Sequence, residues 1–358
     1  MRRSYFIIGL CLLISIGVRA QVHSGGITMG YTIPNDSERK YVGVATYGIE
    51  YSYSKQMVGN EFWKEFWGYP SFGLRASWAG SPEGIAGSRF GLNGYVQAPI
   101  IQNLDWTLGL GFSAYTKPYS ITNDPKNICI GSIINCLIDL GIVYKVPIEH
   151  KGTADVSLRF VHSSNGYLKK PNHGLNFVQL GLGYSINPRG GNNYRIYEKE
   201  HLNTTQYSKN NLFISLAPGI VQTRRTDLDK YYYTYTTQVG YMRRFHPCMA
   251  YGANLDIMQN GSHPAWLKAK HEHYPLPFYL GICANFEAYM GDLSVRVSLG
   301  TNLTYSSLVS LPIYEHVGAF YHFGKRLQQY AGVSLKAYAA HIDYIEWTYG
   351  INLPLGKS

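Results

Sequence analysis

Along most of the chain, hydrophobic and polar residues alternate one by one over segments of about 10 residues, the period of a strand with two unlike faces. Clusters of Gly, Asn, Asp, Pro and Lys separate one segment from the next. The segments fall near 25–33, 42–54, 70–79, 87–99, 104–115, 134–147, 152–164 and 176–187, and again near 211–222, 232–244, 247–259, 278–289, 293–304, 313–323, 328–338 and 343–353. Between the two sets, the polar stretch Asn187 to Asn211 has almost no apolar periodicity and reads as a long loop. The pattern predicts an all-β, antiparallel fold of about 14 strands, within limits of about 8 to 16. One large barrel fits, and so does an eight-stranded barrel followed by a second all-β unit. The single barrel is preferred, because a second independent sheet would need closed edges of its own. The expected organisation is therefore 1–20 as a leader, 21–187 as a barrel half, 188–210 as a polar loop and 211–358 as a second strand-rich half of the same barrel.

The leader is expected from Met1-Arg2-Arg3, the apolar run Phe6 to Gly17, and Val18-Arg19-Ala20 with small residues at −3 and −1. Together these predict a secretory signal peptide removed after Ala20. Cys11 follows Leu10, not the small residue that a lipoprotein signal needs, so no lipid anchor is implied. Beyond residue 20 no run of about 18 apolar residues occurs, which excludes a helical membrane protein. The nearest candidate, Ile130 to Ile148, is interrupted by Asp139 and Lys145. The chain holds 32 Tyr and 38 Gly, with 15% aromatic and only 15% charged residues. A soluble domain carries about 25% charged residues, so the balance suits an aromatic-girdled barrel in the bacterial outer membrane. The segment Glu61 to Trp67 (EFWKEFW) reads as a short interfacial helix or an aromatic loop at the membrane surface.

The formal charge is +10, and it drops by three once Arg2, Arg3 and Arg19 leave with the leader. A basic surface favours anionic phosphate groups, while the lack of a dense Lys/Arg run interleaved with aromatics argues against nucleic acid. Cys129, Cys136, Cys248 and Cys283 remain, an even number in an oxidising compartment. A bridge between Cys129 and Cys136 and free thiols packed in the wall are both open. No metal or other cofactor is expected, since the cysteine spacing matches no metal site and His271-Glu272-His273 reads as a solvent-facing loop.

Alternation also assigns faces. In Val156 to Ser164, Leu158, Phe160, His162 and Ser164 share one side, and Ser157, Arg159, Val161 and Ser163 the other. The apolar companions mark the His/Ser side as membrane-facing. On the next strand Asn176, Val178, Leu180, Leu182 and Tyr184 point the same way. A His and a Ser kept on that side are costly unless they have work to do. Residues i and i+2 lie about 6 to 7 Å apart along a strand, close enough for an imidazole to act as base for a serine hydroxyl. The turn residues that follow, Asn165-Gly166 and Pro171-Asn172-His173-Gly174, supply amide groups able to stabilise an oxyanion.

His162-Ser163-Ser164-Asn165-Gly166, followed by Pro171-Asn172-His173-Gly174-Leu175, closely resembles the signature of the PagL-like lipid A 3-O-deacylases, called acyloxyacyl hydrolases in their longer Bacteroidetes-type members. The resemblance implies an outer-membrane barrel with a Ser/His/Glu triad on its outside. Such a triad hydrolyses the ester-linked acyl chain at position 3 of lipid A without a cofactor. It implies Ser164 as nucleophile and His162 as general base, with Asn165, Gly166 and Asn172 around the oxyanion or substrate and Asn165 foremost. The family's glutamate falls at Asn176, which orients an imidazole but lacks a charge; Glu346 on the last strand is the reserve for that role. The implied partners are lipid A or lipopolysaccharide and outer-membrane lipids, with a homodimer among the assemblies left open. The competing reading is a non-catalytic outer-membrane barrel, a pore or lipid-binding protein, with a degenerate site.

Overall fold

The computed structural model describes residues 21–33, 43–81, 83–148, 152–186, 207–222, 230–269, 278–304, 312–324, 327–338 and 341–355. The leader and its cleavage point, most of the polar loop and His271 to His273 lie outside the described residues. The strands of the first half are β1 (Gln21–Ile33), β2 (Ala45–Gln56), β3 (Ser71–Gly80), β4 (Arg89–Ile101), β5 (Leu104–Tyr115), β6 (Ile134–Ile148), β7 (Gly152–Ser164) and β8 (Leu175–Ile186). Those of the second are β9 (Asn210–Gln222), β10 (Tyr231–His246), β11 (Met249–Asn260), β12 (Tyr279–Met290), β13 (Leu293–Asn302), β14 (Ile313–Phe323), β15 (Gln328–Tyr338) and β16 (His341–Pro354). Each matches a segment of the alternation to within a few residues. The aromatic segment after β2 forms a short helix, α1 (Phe62–Phe66), and a second helix, α2 (Ser262–Ala269), follows β11.

The strands form two closed antiparallel barrels of eight, not one large barrel. β8 returns to β1, with Val178 opposite Tyr31, and β16 returns to β9, with Ile351 opposite Ile214. Closure within each half removes every unpaired edge, so the edge requirement that favoured a single barrel is met twice. Eight strands enclose a space that side chains fill. In the first barrel Arg159 bridges Asp139 (3.0 Å) and Glu50, while Arg75 also reaches Asp139 (2.7 Å). An apolar cluster that includes Tyr115, Ile130, Leu137, Val161 and Phe177 caps this interior at the end carrying the β7–β8 connection. In the second barrel Arg296 grips Glu287 (2.9 Å), and Lys336 lies within a cage of Tyr279, Tyr314, Tyr338 and Tyr344. Charges so deep in a membrane protein persist because each has a partner.

The outer faces carry the apolar half of the alternation: Val156, Leu158 and Phe160 on β7, and Val178, Leu180 and Leu182 on β8, are exposed. Cys129 belongs to the apolar cap, whereas Cys136 lies across from Ser164 on the outward side of β6. Among the described residues, Cys129, Cys136, Cys248 and Cys283 are free thiols, with no bridge between Cys129 and Cys136. The two barrels touch near both ends. On one side Trp67 Nε1 donates to Tyr289 O (2.8 Å) and Phe66 packs on His246. On the other, the β7–β8 turn meets the end of β9, where Lys170 N–H donates to Gln222 Oε1 (2.9 Å) and Gln222 N–H to Tyr167 O (3.1 Å).

Candidate active site

His162 and Asn176 are directly opposed in the β7–β8 ladder, and both belong to the outward set of positions. Their side chains meet, His162 Nδ1 lying 2.6 Å from Asn176 Oδ1. An amide oxygen can only accept, so Nδ1 carries the hydrogen and Nε2 keeps its lone pair. That second nitrogen is buried and has no hydrogen-bond partner. Leaving such an atom unsatisfied costs about 1–3 kcal/mol unless a substrate group or water completes it. Gly174, at φ +74, lets the imidazole lie against the backbone: a Cβ there would come within 2.8 Å of His162 Cε1.

Ser164 ends β7 with 6% of its surface exposed. Its Oγ accepts from Gly166 N–H (3.2 Å) and from Asn172 Nδ2 (2.9 Å). The Asn172 amide is oriented by its other end, since Oδ1 accepts from Asn165 N–H (3.2 Å) and the nitrogen is thereby turned to the serine. Two N–H donors thus converge on the hydroxyl oxygen, while its own hydrogen remains to be given. Two donors aimed at one oxygen favour negative charge on it.

Asn165, the foremost expected oxyanion residue, has a different place. Its Nδ2 donates to Ser132 Oγ and to Lys169 O (both 2.8 Å), and its Oδ1 accepts from Lys169 N–H (3.4 Å). The side chain is spent on folding the turn. Glu346 is also displaced from its reserve role: it is 1% exposed inside the second barrel, accepting from Thr236 and from Ser334 (3.2 Å). The one-residue period of a strand explains this, because Ile345, its neighbour, is the residue that points outward and meets Gly166. The outward assignment of His162 and Ser164 stands, yet open exposure to lipid does not, because the turn is pressed against the second barrel. Gln222 and Ile345, which do the pressing, carried no sequence signal; each is an ordinary residue on a strand of the other half.

Among solved structures, de novo designed transmembrane β-barrels match with 12% identity and a TM-score of 0.28, over 47% of this chain and 96% of theirs. A mutant porin of Rh. blastica matches with 11% identity and a TM-score of 0.20, over 93% of this chain and 99% of its own. The siderophore receptor PirA from Pseudomonas aeruginosa matches with 10% identity and a TM-score of 0.28, over 94% of this chain and 62% of the receptor. Scores this low carry nothing beyond the likeness itself. No curated protein matches the chain. Two family models do: lipid A 3-O-deacylase (PagL) over residues 47–185, and the C-terminal domain of acyloxyacyl hydrolase over residues 208–355. The first contains the whole His162–Asn176 constellation and the second every strand of the second barrel. With most of its length matched in this way, the chain belongs to the PagL lipid A 3-O-deacylase and acyloxyacyl hydrolase family of outer-membrane ester hydrolases.

Proposed function

We propose that the protein removes the ester-linked acyl chain at position 3 of lipid A, with Ser164 as nucleophile and His162 as general base on the outer wall of the first barrel. The observation that carries this reading is the unpartnered, buried Nε2 of His162 on the same strand face as a serine whose oxygen already receives two N–H donors. His162 Nε2 and Ser164 Oγ are not hydrogen-bonded to each other, so a side-chain rotation that closes this gap precedes the attack; Oγ then adds to the ester carbonyl as its proton passes to Nε2. Asn176 Oδ1 holds the imidazole through Nδ1–H while the imidazolium forms. Gly166 N–H and Asn172 Nδ2 shift their hydrogen bonds to the carbonyl oxygen as it takes up charge. Collapse expels the sugar hydroxyl, which takes the proton from Nε2, and water then hydrolyses the acyl-serine by the same route in reverse.

The ion pairs cross the first interior and the apolar cap closes one end of it, which argues against the pore reading. The deciding experiment is mass spectrometry of lipid A from cells expressing the wild type, Ser164→Ala or His162→Ala. Loss of one hydroxyacyl chain in the wild type alone is the expected result. An intact acyl pattern in cells whose wild-type protein is folded and inserted would overturn the assignment.

A further inference from the structure

We infer that the second barrel belongs to the catalytic apparatus: Gln222 on β9 and Ile345 on β16 are positioning residues that hold the Asn165–Gly174 turn with its N–H donors aimed at Ser164. This rests on the serine-esterase reading and assigns a task to a domain that contributes no reacting group.

The apex of the turn is an unusual piece of backbone. Gly166 and Tyr167 are both left-handed, at φ 60 and φ 62. Glycine adopts that conformation freely; tyrosine does so only where its surroundings over-determine it. The first barrel anchors the two ends of the turn, through Asn165 Nδ2 on Ser132 Oγ (2.8 Å) and Gly174 N–H on Cys129 O (2.9 Å). The apex is gripped from the other barrel. Gln222 uses its main-chain N–H on Tyr167 O (3.1 Å) and its side-chain oxygen on Lys170 N–H (2.9 Å), so one residue fixes the turn at two points.

Ile345 supplies the other half of the grip. Its neighbours on the outward face of β16, Trp347 and Tyr349, are exposed, whereas Ile345 is 5% exposed. Its side chain occupies the space that a Cβ on Gly166 would need. The peptide N–H of Gly166 is thus backed by an apolar wall on one side and faces Ser164 Oγ on the other. Misplacing such a donor by about 1 Å costs roughly 100-fold in rate. Ser164 itself is 6% exposed, and a site with little water strengthens every hydrogen bond the oxyanion receives.

The test is steady-state deacylation of lipid A by the full-length protein purified in detergent, with folding checked by heat-modifiable migration on gels. Gln222→Leu removes the acceptor for Lys170 N–H and is expected to lower kcat roughly 10- to 100-fold with little change in KM. Gln222→Glu keeps an acceptor and is expected to recover most of the rate, which a merely structural loss would not allow. Gly166→Ala is expected to lower kcat, and adding Ile345→Ala to restore part of it by making room for the new methyl. An unaltered kcat in folded Gln222→Leu overturns the inference when the wild type is active and Ser164→Ala is not. If Gln222→Leu does not fold, strict additivity of Gly166→Ala and Ile345→Ala overturns it. An inactive wild type refutes the esterase reading instead.

Discussion

Asn176→Glu puts a carboxylate opposite His162, the proposed general base, and its expected effect on rate follows from the geometry. Asn176 Oδ1 is 2.6 Å from His162 Nδ1. With the imidazolium charge spread over both nitrogens, the charge centres would lie about 4 Å apart, worth about 4 kcal/mol at an effective dielectric constant of about 20. Only the part present in the transition state and absent before it raises kcat, because a carboxylate also accepts from neutral Nδ1–H and must itself be desolvated. About 1–3 kcal/mol then remains, or roughly 5- to 150-fold in kcat. The assay is the initial rate of hydroxyacyl release from lipid A in detergent micelles by the wild type and the variant at matched folded fraction. Asn176→Leu, which leaves Nδ1–H without an acceptor, serves as the opposite extreme and is expected to be slower than both. An equal or lower rate for folded Asn176→Glu would refute the reasoning, since it would mean that no positive charge develops on His162 in the rate-limiting step.

Asn172→Leu removes a donor to Ser164 Oγ together with the acceptor for Asn165 N–H, and kcat is expected to fall about 100- to 1,000-fold. Single-turnover acyl transfer checks it. Glu346→Gln is expected to leave deacylation unchanged, because that side chain is enclosed in the second barrel with Thr236 and Ser334; loss of activity in the folded variant would place it back beside His162. Arg296→Met leaves Glu287 fully buried without its cation, a change that typically costs about 3–5 kcal/mol. It should lower the temperature at which the folded band disappears on gels, and an unshifted transition would mean that Ser294 and His322 suffice to satisfy the carboxylate.

Local sequence determined the strands and their faces. A period of two dictates which side chains share a surface, so Leu158, Phe160 and His162 were bound to point together, away from Arg159 and Val161. It also brought His162 beside Asn176, since a ten-residue turn joining two alternating strands leaves few registers that keep both apolar faces outward. Short-range order likewise accounts for α1, where Phe62, Trp63 and Phe66 recur at a helical rather than an alternating spacing.

Which strand closes on which was decided only by the tertiary structure. Every strand of both halves offers the same unpaired backbone groups, and nothing local distinguishes β8 pairing with β1 from β8 pairing with β9. The roles of the three asparagines and of Glu346 depended on the same long-range choices. Asn165 folds the turn and Asn172 faces the serine because Ser132 and Lys169 compete for the first amide, a matter of where the β5–β6 connection runs. Gln222 and Ile345 lie far along the chain from Ser164 and have no chemistry of their own. They meet the Asn165–Gly174 turn because two closed cylinders have no free backbone groups left to join them except at their turns, and that turn is one of the places where the barrels touch.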